Sequence, residues 1–230
     1  MHKAWLYRLL CAIYDEPELA GALYFKGGTC AAMLSWLDRF SVDLDFDFVA
    51  DKKEMGNTRE ALERIFHELD LEIKDASKNA PQYFLRYPIK GTNRAIIKID
   101  VTFPPPHANE YKAEHFKEID RIITCQTKET MFANKLVALI DRYEKREAIA
   151  GRDIYDTHHF FLQGFRYTEE VIRERRNIKN ITAFLKELVE FIERHITQTI
   201  IDQDINMLLP PAQFQKIRLH LKGETLMFLR

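Results

Sequence analysis

Residues Arg39-Phe40-Ser41-Val42-Asp43-Leu44-Asp45-Phe46-Asp47-Phe48 follow Phe25-Lys26-Gly27-Gly28-Thr29 after a helix-length spacer. In the longer stretch, Asp43, Asp45 and Asp47 alternate with apolar residues. A β-strand with this alternation places its carboxylates on one face and its apolar side chains on the other. The sequence therefore predicts a half-buried strand that packs with one face and presents carboxylates on the opposite face.

The carboxylates and the glycine pair together predict a phosphate site. Two carboxylates two residues apart on a strand can share a hard cation, usually Mg²⁺ when phosphates supply its other ligands. A strand that ends at Lys26 and a helix that opens at Thr29 would direct backbone N–H groups at an anion. Glycine suits the turn between them because the backbone there must approach its neighbours closely.

Length and composition limit what surrounds this site. The chain has 230 residues, of which 46% are hydrophobic and 30% charged, so it can form one large or two small globular domains. The net charge of −1 neither supports nor excludes an RNA partner.

The cysteine pattern and the hydropathy bear on location. Cys11, Cys30 and Cys125 are scattered, so they predict neither a disulfide framework nor a zinc site, and they suit a reducing cytoplasm. No apolar run is long enough to span a membrane, and the N-terminus does not resemble a signal peptide. We therefore expect a cytoplasmic protein with no membrane partner.

Hydrophobic periodicity divides the chain into two parts. We expect an α+β fold: an α/β domain over residues 1–125, with a small mixed β-sheet flanked by helices, and then a helical bundle over residues 126–230. The strands expected besides the carboxylate strand are Leu23 to Lys26, Gln82 to Tyr87 and Ala95 to Phe103, the last two joined by a turn with Pro88, Gly91 and Asn93. The helices expected from apolar stripes lie around Trp5 to Ile13, Thr58 to Leu69, Lys128 to Lys145, Gly151 to Phe161 and Ile181 to Thr197. The final segment, Ala212 to Arg230, should dock through Phe214, Ile217, Leu219, Leu221 and Phe228.

A third carboxylate candidate lies on the last of the expected strands. Lys98, Asp100 and Thr102 alternate with apolar residues, so Asp100 would also stand on the polar face of a half-buried strand. We expect Asp100 to be a further metal ligand beside Asp43 and Asp45, which would allow two metal ions.

Four motifs together resemble the AbiEii/AbiGii-type (MenT-like) toxins of the DNA polymerase β-like nucleotidyltransferase superfamily. They span about residues 23 to 160 and are Lys26-Gly27-Gly28-Thr29, Arg39 to Asp45, Lys135 with Ala138 and Arg142, and Gly151-Arg152-Asp153-Ile154-Tyr155-Asp156. Thirteen residues separate Thr29 from Asp43, which is within the usual range of the superfamily. The resemblance therefore favours Asp43 and Asp45 as the metal pair, and not Asp45 and Asp47.

The resemblance implies an activity and partners. It implies a Mg²⁺-dependent enzyme that transfers NMP from an NTP to an acceptor hydroxyl, most typically at the 3′ end of tRNA. Such an enzyme would be the toxin of a type IV-like toxin–antitoxin or phage-abortive-infection system. Its antitoxin would typically carry a winged-helix DNA-binding domain. Lys26, Gly27, Gly28 and Thr29 would then bind the nucleotide.

The motifs beyond residue 126 are implied to complete the site. Taken alone, Lys135 on an amphipathic helix is a solvated or snorkelling side chain. The resemblance instead implies that Lys135 contacts nucleotide phosphates and acts with a catalytic aspartate of the Arg-Asp-x-x-Asp motif. It favours Asp153 for that role, with Asp156 as a nearby nucleotide-site partner, although Asp153 could also be a helix N-cap.

Two residues beside the carboxylate strand have alternatives that the sequence leaves open. Arg39 could bind a phosphate bidentately, or pair with Asp38 or Asp43. Ser41 would share the face of Asp43 and Asp45 at the nucleotide site. A phosphate on Ser41 would place a dianion beside the metal carboxylates, so a Ser41→Asp variant is expected to lose activity.

Other polar clusters favour ordinary surface roles. His158-His159 could suggest a metal site, but adjacent helical residues diverge, so a helix-surface role is favoured. Arg173, Arg175, Arg176 and Lys179 could contact an RNA backbone, although a charged solvent-facing helix is favoured.

Two alternative functions remain open on the same scaffold. The acceptor could be a small molecule, as in aminoglycoside nucleotidyltransferases, or the chain could be a non-catalytic nucleotide-binding protein. The intact Gly-Gly-Thr motif, Asp43, Asp45, Lys135 and Asp153 argue against a degenerate, non-catalytic copy.

Overall fold

A computed structural model describes residues 1–77, 80–88 and 95–230 of the chain. The chain divides into two compact units. The sheet unit comprises Met1–Ser35, Ser41–Pro105 and Tyr111–Gln126. The helical unit comprises Trp36–Phe40, Pro106–Glu110 and Thr127–Arg230.

The sheet unit contains a mixed sheet. Its described strands are β1 (Leu23–Lys26), β2 (Asp43–Phe48), β3 (Glu72–Ala76), β4 (Tyr83–Arg86), β5 (Ile96–Thr102), β6 (Tyr111–Phe116) and β7 (Arg121–Gln126). They form one sheet of seven strands in the order β3-β4-β5-β2-β1-β7-β6. The pairs β2–β5 and β1–β7 are parallel, and the other neighbours are antiparallel.

The sheet confirms the predicted strands and adds three. β1, β2, β4 and β5 lie where the sequence predicts them, with β4 antiparallel to β5. Of the predicted turn between β4 and β5, Gly91 and Asn93 lie outside the described residues. β3, β6 and β7 were missed, and in β3 the reason is that all five residues are exposed and show no apolar alternation.

Helices cover the apolar face of the sheet. The helices of the sheet unit are α1 (His2–Tyr14), α2 (Pro17–Ala22), α3 (Gly27–Met33) and α4 (Met55–Glu68). The Tyr14 ring at the end of α1 lies 6.4 Å from the Phe46 ring of β2, and the Phe66 ring of α4 lies 5.0 Å from the Tyr83 ring of β4. This packing buries one face of β2 and leaves its aspartates on the other.

The structure confirms the predicted helical region in the C-terminal part of the chain, while the domain boundary at residue 126 stays a prediction. The described helices of the helical unit are α5 (Lys128–Arg146), α6 (Gly151–Leu162), α7 (Glu169–Arg176), α8 (Ile181–His195), α9 (Gln198–Ile205), α10 (Pro211–Ile217) and α11 (Leu221–Leu229). The Thr127 hydroxyl caps α5 by accepting a hydrogen bond of 3.2 Å from the Thr130 amide. None of the helices in the described ranges has the length and apolar character needed to cross a membrane.

The C-terminal segment docks as predicted, with one exception. Of the residues predicted to dock, Phe214 and Leu221 are buried, and Ile217 and Phe228 are half-buried. Leu219 is 66% exposed, so its predicted burial was wrong. It lies in the turn between α10 and α11, where the helical periodicity that the prediction used does not hold.

Candidate active site

The carboxylates of the sheet unit are arranged by strand register. Asp43 and Asp45 are half-buried and share one face of β2. Across the parallel pair, Asp45 lies beside Asp100 and Asp43 lies beside Lys98. On the other side of β2, Asp45 lies beside Lys26 of β1. The register therefore brings Asp43, Asp45 and Asp100 onto one polar face.

The glycine turn lies directly against this carboxylate face. Gly27 has φ +79°, a left-handed conformation that glycine adopts without strain. A Cβ on Gly27 would lie 2.2 Å from Asp45 Oδ2, so no side chain fits there while Asp45 keeps its position. Gly28 and Thr29 are buried in the first turn of α3. The buried Thr29 hydroxyl donates a hydrogen bond to the Asp43 carbonyl oxygen and so fixes the start of β2.

Gly27→Ala is expected to remove most nucleotide transfer and to lower stability. Alanine is strained at φ +79°, at a cost of about 1 kcal/mol, and its methyl group would also displace the Asp45 carboxylate. Transfer rate and melting temperature would be measured side by side. Gly56→Ala is the matched control, because a Cβ there meets nothing within 4 Å. Equal activity of the two variants would contradict the role given to the close approach at Gly27.

Asp47 differs from Asp43 and Asp45 because its carboxylate is fully buried and accepts several hydrogen bonds. It is 0% exposed and accepts from Lys26 Nζ at 2.6 Å, Tyr111 hydroxyl at 2.8 Å and Gln126 Nε2 at 2.7 Å. Lys26 Nζ also donates to the Thr102 hydroxyl at 2.6 Å. Asp47 thus links β2 to side chains of β1, β6 and β7, and the Lys26 ammonium donates its hydrogen bonds within the protein. A contact of Lys26 with nucleotide stays a prediction.

Asp100 is also held by protein groups. Its carboxylate accepts from Gln82 Nε2 at 2.6 Å and forms an ion pair with Lys98. Within residues 1–77, 80–88 and 95–230, no group of three or more His, Cys, Asp and Glu side chains could hold a metal ion. The Asp100 carboxylate is thus engaged by Gln82 and Lys98 within the protein, and a metal role for Asp100 stays a prediction.

The residues present nevertheless fit a divalent cation held by Asp43 and Asp45. Both supply the hard oxygen donors that Mg²⁺ prefers, and both are accessible in part. The Gly27 backbone comes within contact of the Asp45 carboxylate, as a site for a phosphate-bound cation requires. Ser41 is half-buried and lies two residues before the start of β2. Its role at the nucleotide site stays a prediction.

A second cluster of predicted residues lies in the helical unit and centres on Asp156. Asp156 of α6 is 0% exposed. Arg39 binds it bidentately through one edge of its guanidinium, with Nη2 donating to Oδ2 at 2.7 Å and Nε donating to Oδ1. Lys135 Nζ of α5 lies 2.7 Å from Asp156 Oδ2. The ion pair of Arg39 is therefore made with Asp156 and not with Asp38 or Asp43, while its remaining nitrogen, Nη1, donates to the Phe40 carbonyl oxygen at 3.0 Å.

The Asp156 carboxylate ionises readily despite its burial. Burial by itself raises the pKa, but the charges and hydrogen bonds of Arg39 and Lys135 outweigh it and lower the pKa to about 2, from an ordinary value of 3.8. The ionised form thus stabilises the folded chain.

Acidification is expected to lower the free energy of unfolding, because it protonates Asp156. A lowered folded-state pKa contributes stability that is complete above about pH 4 and is lost as the pH falls towards 2. The contribution is about 2 kcal/mol. Urea unfolding of the unaltered chain and of Asp156→Asn at pH 5 and pH 2.5 would measure it. The loss of stability on acidification should be smaller in Asp156→Asn, and an equal loss would contradict the assignment.

Asp153 occupies a different environment from Asp156. It is buried in the first turn of α6 and accepts from Arg142 Nε at 3.0 Å. The N-cap residue of α6 is Ala150, so the alternative that Asp153 caps the helix was wrong. The aspartate of the motif that contacts Lys135 is Asp156, since it lies one helical turn further along α6. A catalytic role for Asp153 stays a prediction.

The predicted surface position of His158 and His159 on α6 was wrong. His158 and His159 are both buried, because α6 is packed on more than one side. His158 Nε2 lies 2.7 Å from Glu224 of α11, and His159 Nδ1 lies 3.2 Å from Asp38. Burial lowers the pKa of His159, which the nearby Asp38 only partly opposes.

The arginines of α7 bind within the helical unit and do not form a solvent-facing row. Arg175 Nη2 donates to Asp141 at 2.6 Å, and Arg176 donates to Asp141 at 3.0 Å and to Glu144 at 2.7 Å. The two side chains are 22% and 13% exposed. These ion pairs join α7 to α5, which removes the reason to regard Arg175 and Arg176 as an RNA contact.

Sequence reasoning missed the partners that position the carboxylates. Tyr111 and Gln126 belong to β6 and β7, and Gln82 precedes β4. No local sequence pattern around Tyr111, Gln126 or Gln82 indicates that these residues contact aspartates distant in sequence. Lys98 was seen only as a polar residue that alternates with apolar ones, although its spacing of two from Asp100 is compatible with a same-face ion pair.

Three solved structures share this fold over most of the chain. A protein of H. pylori described as a candidate nucleotidyltransferase is 20% identical, with 98% of this chain and 94% of that chain covered and a TM-score of 0.58. JHP933 from Helicobacter pylori is 20% identical, with 96% and 88% covered and a TM-score of 0.55. MenT4, a nucleotidyltransferase toxin from Mycobacterium tuberculosis H37Rv, is 17% identical, with 99% and 82% covered and a TM-score of 0.57. These likenesses show that this chain shares its fold with the three proteins.

The family follows from the sequence match. Residues 8–226 match the family model described as nucleotidyl transferase AbiEii toxin, type IV TA system. The chain therefore belongs to the AbiEii family of nucleotidyltransferase toxins, as its motifs predict. A toxin of this family implies an NTP substrate and an antitoxin partner. No curated protein matches the chain.

Proposed function

We propose that this toxin transfers NMP from an NTP to the hydroxyl at the 3′ end of tRNA in the cytoplasm and so blocks translation. The observation that supports the transfer most directly is the polar face of β2, where Asp43 and Asp45 lie beside the close approach of Gly27. The tRNA acceptor rests on the family resemblance. The resemblance also supports an antitoxin with a winged-helix DNA-binding domain.

Asp43 and Asp45 are assigned to hold Mg²⁺. When bound, Mg²⁺ neutralises phosphate charge and so favours displacement at phosphorus. Gly27 gives the space in which the Asp45 carboxylate stands, and the Thr29 hydroxyl holds Asp43 through its carbonyl oxygen. The first feature leaves room for the Asp45 carboxylate, and the second holds the backbone that carries the Asp43 carboxylate. Lys135 is assigned to the nucleotide phosphates on the family resemblance alone.

The reaction needs positioning more than covalent chemistry. The oxygen of the acceptor hydroxyl forms a bond to the α-phosphorus, the bond from that phosphorus to the pyrophosphate oxygen breaks, and the hydroxyl proton passes to solvent. The protein contributes mainly by holding the reacting groups in line and by stabilising the charge that develops. The fixed backbone around Asp43 and Gly27 suits that task.

The test is a transfer assay with total tRNA. The purified chain is incubated with Mg²⁺, total tRNA and each of the four α-labelled NTPs in turn, with Asp43→Asn as the inactive control. We expect label in tRNA from a preferred NTP, and none from the variant. Label in no tRNA with any NTP would reject the tRNA acceptor. A small-molecule acceptor would then be sought by separating labelled products from a cell extract.

A further inference from the structure

The polar face of the sheet continues past the carboxylates to an exposed aromatic ring. In the register of β4 and β5, Phe84 lies beside Lys98, and in the register of β5 and β2, Lys98 lies beside Asp43. Phe84, Lys98 and Asp43 therefore form a row across three neighbouring strands on one face. Adjacent strands are about 4.8 Å apart, which places the Phe84 backbone about 10 Å from that of Asp43.

Phe84 does not serve the core of the sheet unit. Its neighbours Tyr83 and Leu85 are both 0% exposed and point to the helix-covered face, while Phe84 itself is 40% exposed. An exposed phenylalanine on the face that carries the catalytic carboxylates offers a flat apolar surface. Single-stranded nucleic acids bind proteins largely by stacking their bases on rings of this kind.

Two basic side chains flank the ring. Lys98 stands beside Phe84 on β5 and pairs with Asp100, while Arg86 follows two residues later on the same face of β4. The Arg86 side chain is 52% exposed and lies 3.9 Å from Glu72, which is also paired with Lys74. An aromatic ring between a lysine and an exposed arginine suits a nucleotide, because the ring takes the base and the cations attract its phosphates.

The sheet order indicates which nucleotide would lie there. The glycine turn follows β1, and β1 and β5 lie on opposite sides of β2. Under the proposed function, the NTP phosphates occupy the side of Asp45 that faces the glycine turn. The part of the polar face on β5 and β4 is then left for the molecule that supplies the attacking hydroxyl. The ring and the carboxylates are close enough for one terminal nucleotide to reach both.

We propose that Phe84 stacks on the terminal base of the RNA acceptor, with Lys98 and Arg86 beside its phosphates. This inference rests on the proposed function and adds to it a binding site for the acceptor on β4 and β5. Phe84 is a substrate-binding residue and takes no part in bond making.

The test measures binding, so that it needs no turnover. Affinity for 5′-labelled total tRNA is measured by fluorescence anisotropy, and affinity for each NTP with Mg²⁺ is measured by calorimetry. Phe84→Leu keeps an apolar side chain but removes the ring, so tRNA affinity should fall about five- to hundredfold while NTP affinity is unchanged. Phe84→Tyr should restore tRNA affinity because it restores the ring.

Ile73→Ala is the matched control. Ile73 lies on the neighbouring strand β3, is 41% exposed and pairs with Leu85, so it belongs to the opposite face. Its variant should bind tRNA as the unaltered chain does. Unchanged tRNA affinity in Phe84→Leu, or a loss that falls on the NTP, would overturn the inference. An unaltered chain that binds tRNA through Phe84 but transfers nothing to it would overturn only the proposed function.

Discussion

Asp43→Asn is expected to reduce nucleotide transfer by at least about a hundredfold while the melting temperature stays within a few degrees of the unaltered chain. Asparagine keeps the shape of the side chain but removes the charge that a divalent cation needs. The contact that fixes this part of β2 runs from the Thr29 hydroxyl to the backbone carbonyl of residue 43, so the substitution leaves it intact. The loss should therefore appear in turnover and not in folding.

Two further variants separate a catalytic loss from a structural one. Asp47→Asn changes a fully buried carboxylate with three hydrogen-bond donors, so it should lower the melting temperature as well as activity. Asp51→Asn makes the same substitution on an exposed residue beyond the far end of β2 and should change neither. Full activity in Asp43→Asn would remove the metal role of Asp43. A drop in melting temperature equal to that of Asp47→Asn would make its effect structural.

Asp156→Ala is expected to destabilise the chain by about 3–5 kcal/mol, because it leaves two cations without their counterion. Arg39 is 6% exposed and donates to both Asp156 oxygens, and the Lys135 side chain is 16% exposed. For a chain of this size, the change corresponds to a fall in melting temperature of about 10 °C. Thermal unfolding followed by circular dichroism would measure it.

A pair in the same unit gives the comparison. Asp202 and Arg218 form an ion pair whose side chains are 29% and 28% exposed, so solvent screens it. Asp202→Ala should therefore destabilise the chain much less than Asp156→Ala does. The double variant Arg39→Met with Asp156→Leu removes charge on both sides and should recover part of the loss of Asp156→Ala. If Asp156→Ala and Asp202→Ala cost the same, the buried cluster would not stabilise the helical unit.

Local patterns in the sequence were sufficient for much of the fold. Apolar alternation located β2 and β5, and helical stripes located α1, α4, α5, α6 and α8. The strands that escaped prediction were β3, β6 and β7, whose exposed or mixed residues give weak alternation. Their pairing depends on neighbours supplied by the rest of the sheet, and propensity alone does not determine it.

The sequence by itself determined that Asp43, Asp45 and Asp47 share a face, because the two-residue period of a strand is a local property. It also determined that a glycine turn precedes them. Only the tertiary structure separated Asp47 from the other two, by surrounding it with Tyr111 and Gln126 from strands more than 60 residues away.

The same distinction holds in the helical unit. The sequence determined that Asp153 and Asp156 lie one turn apart on a helix, but the structure decided that Asp156 takes both Arg39 and Lys135, while Asp153 takes Arg142. Periodicity fixes the direction of a side chain relative to its own helix or strand. Which partner stands in that direction depends on residues distant in sequence that packing brings together, and this choice sets burial, charge and pKa.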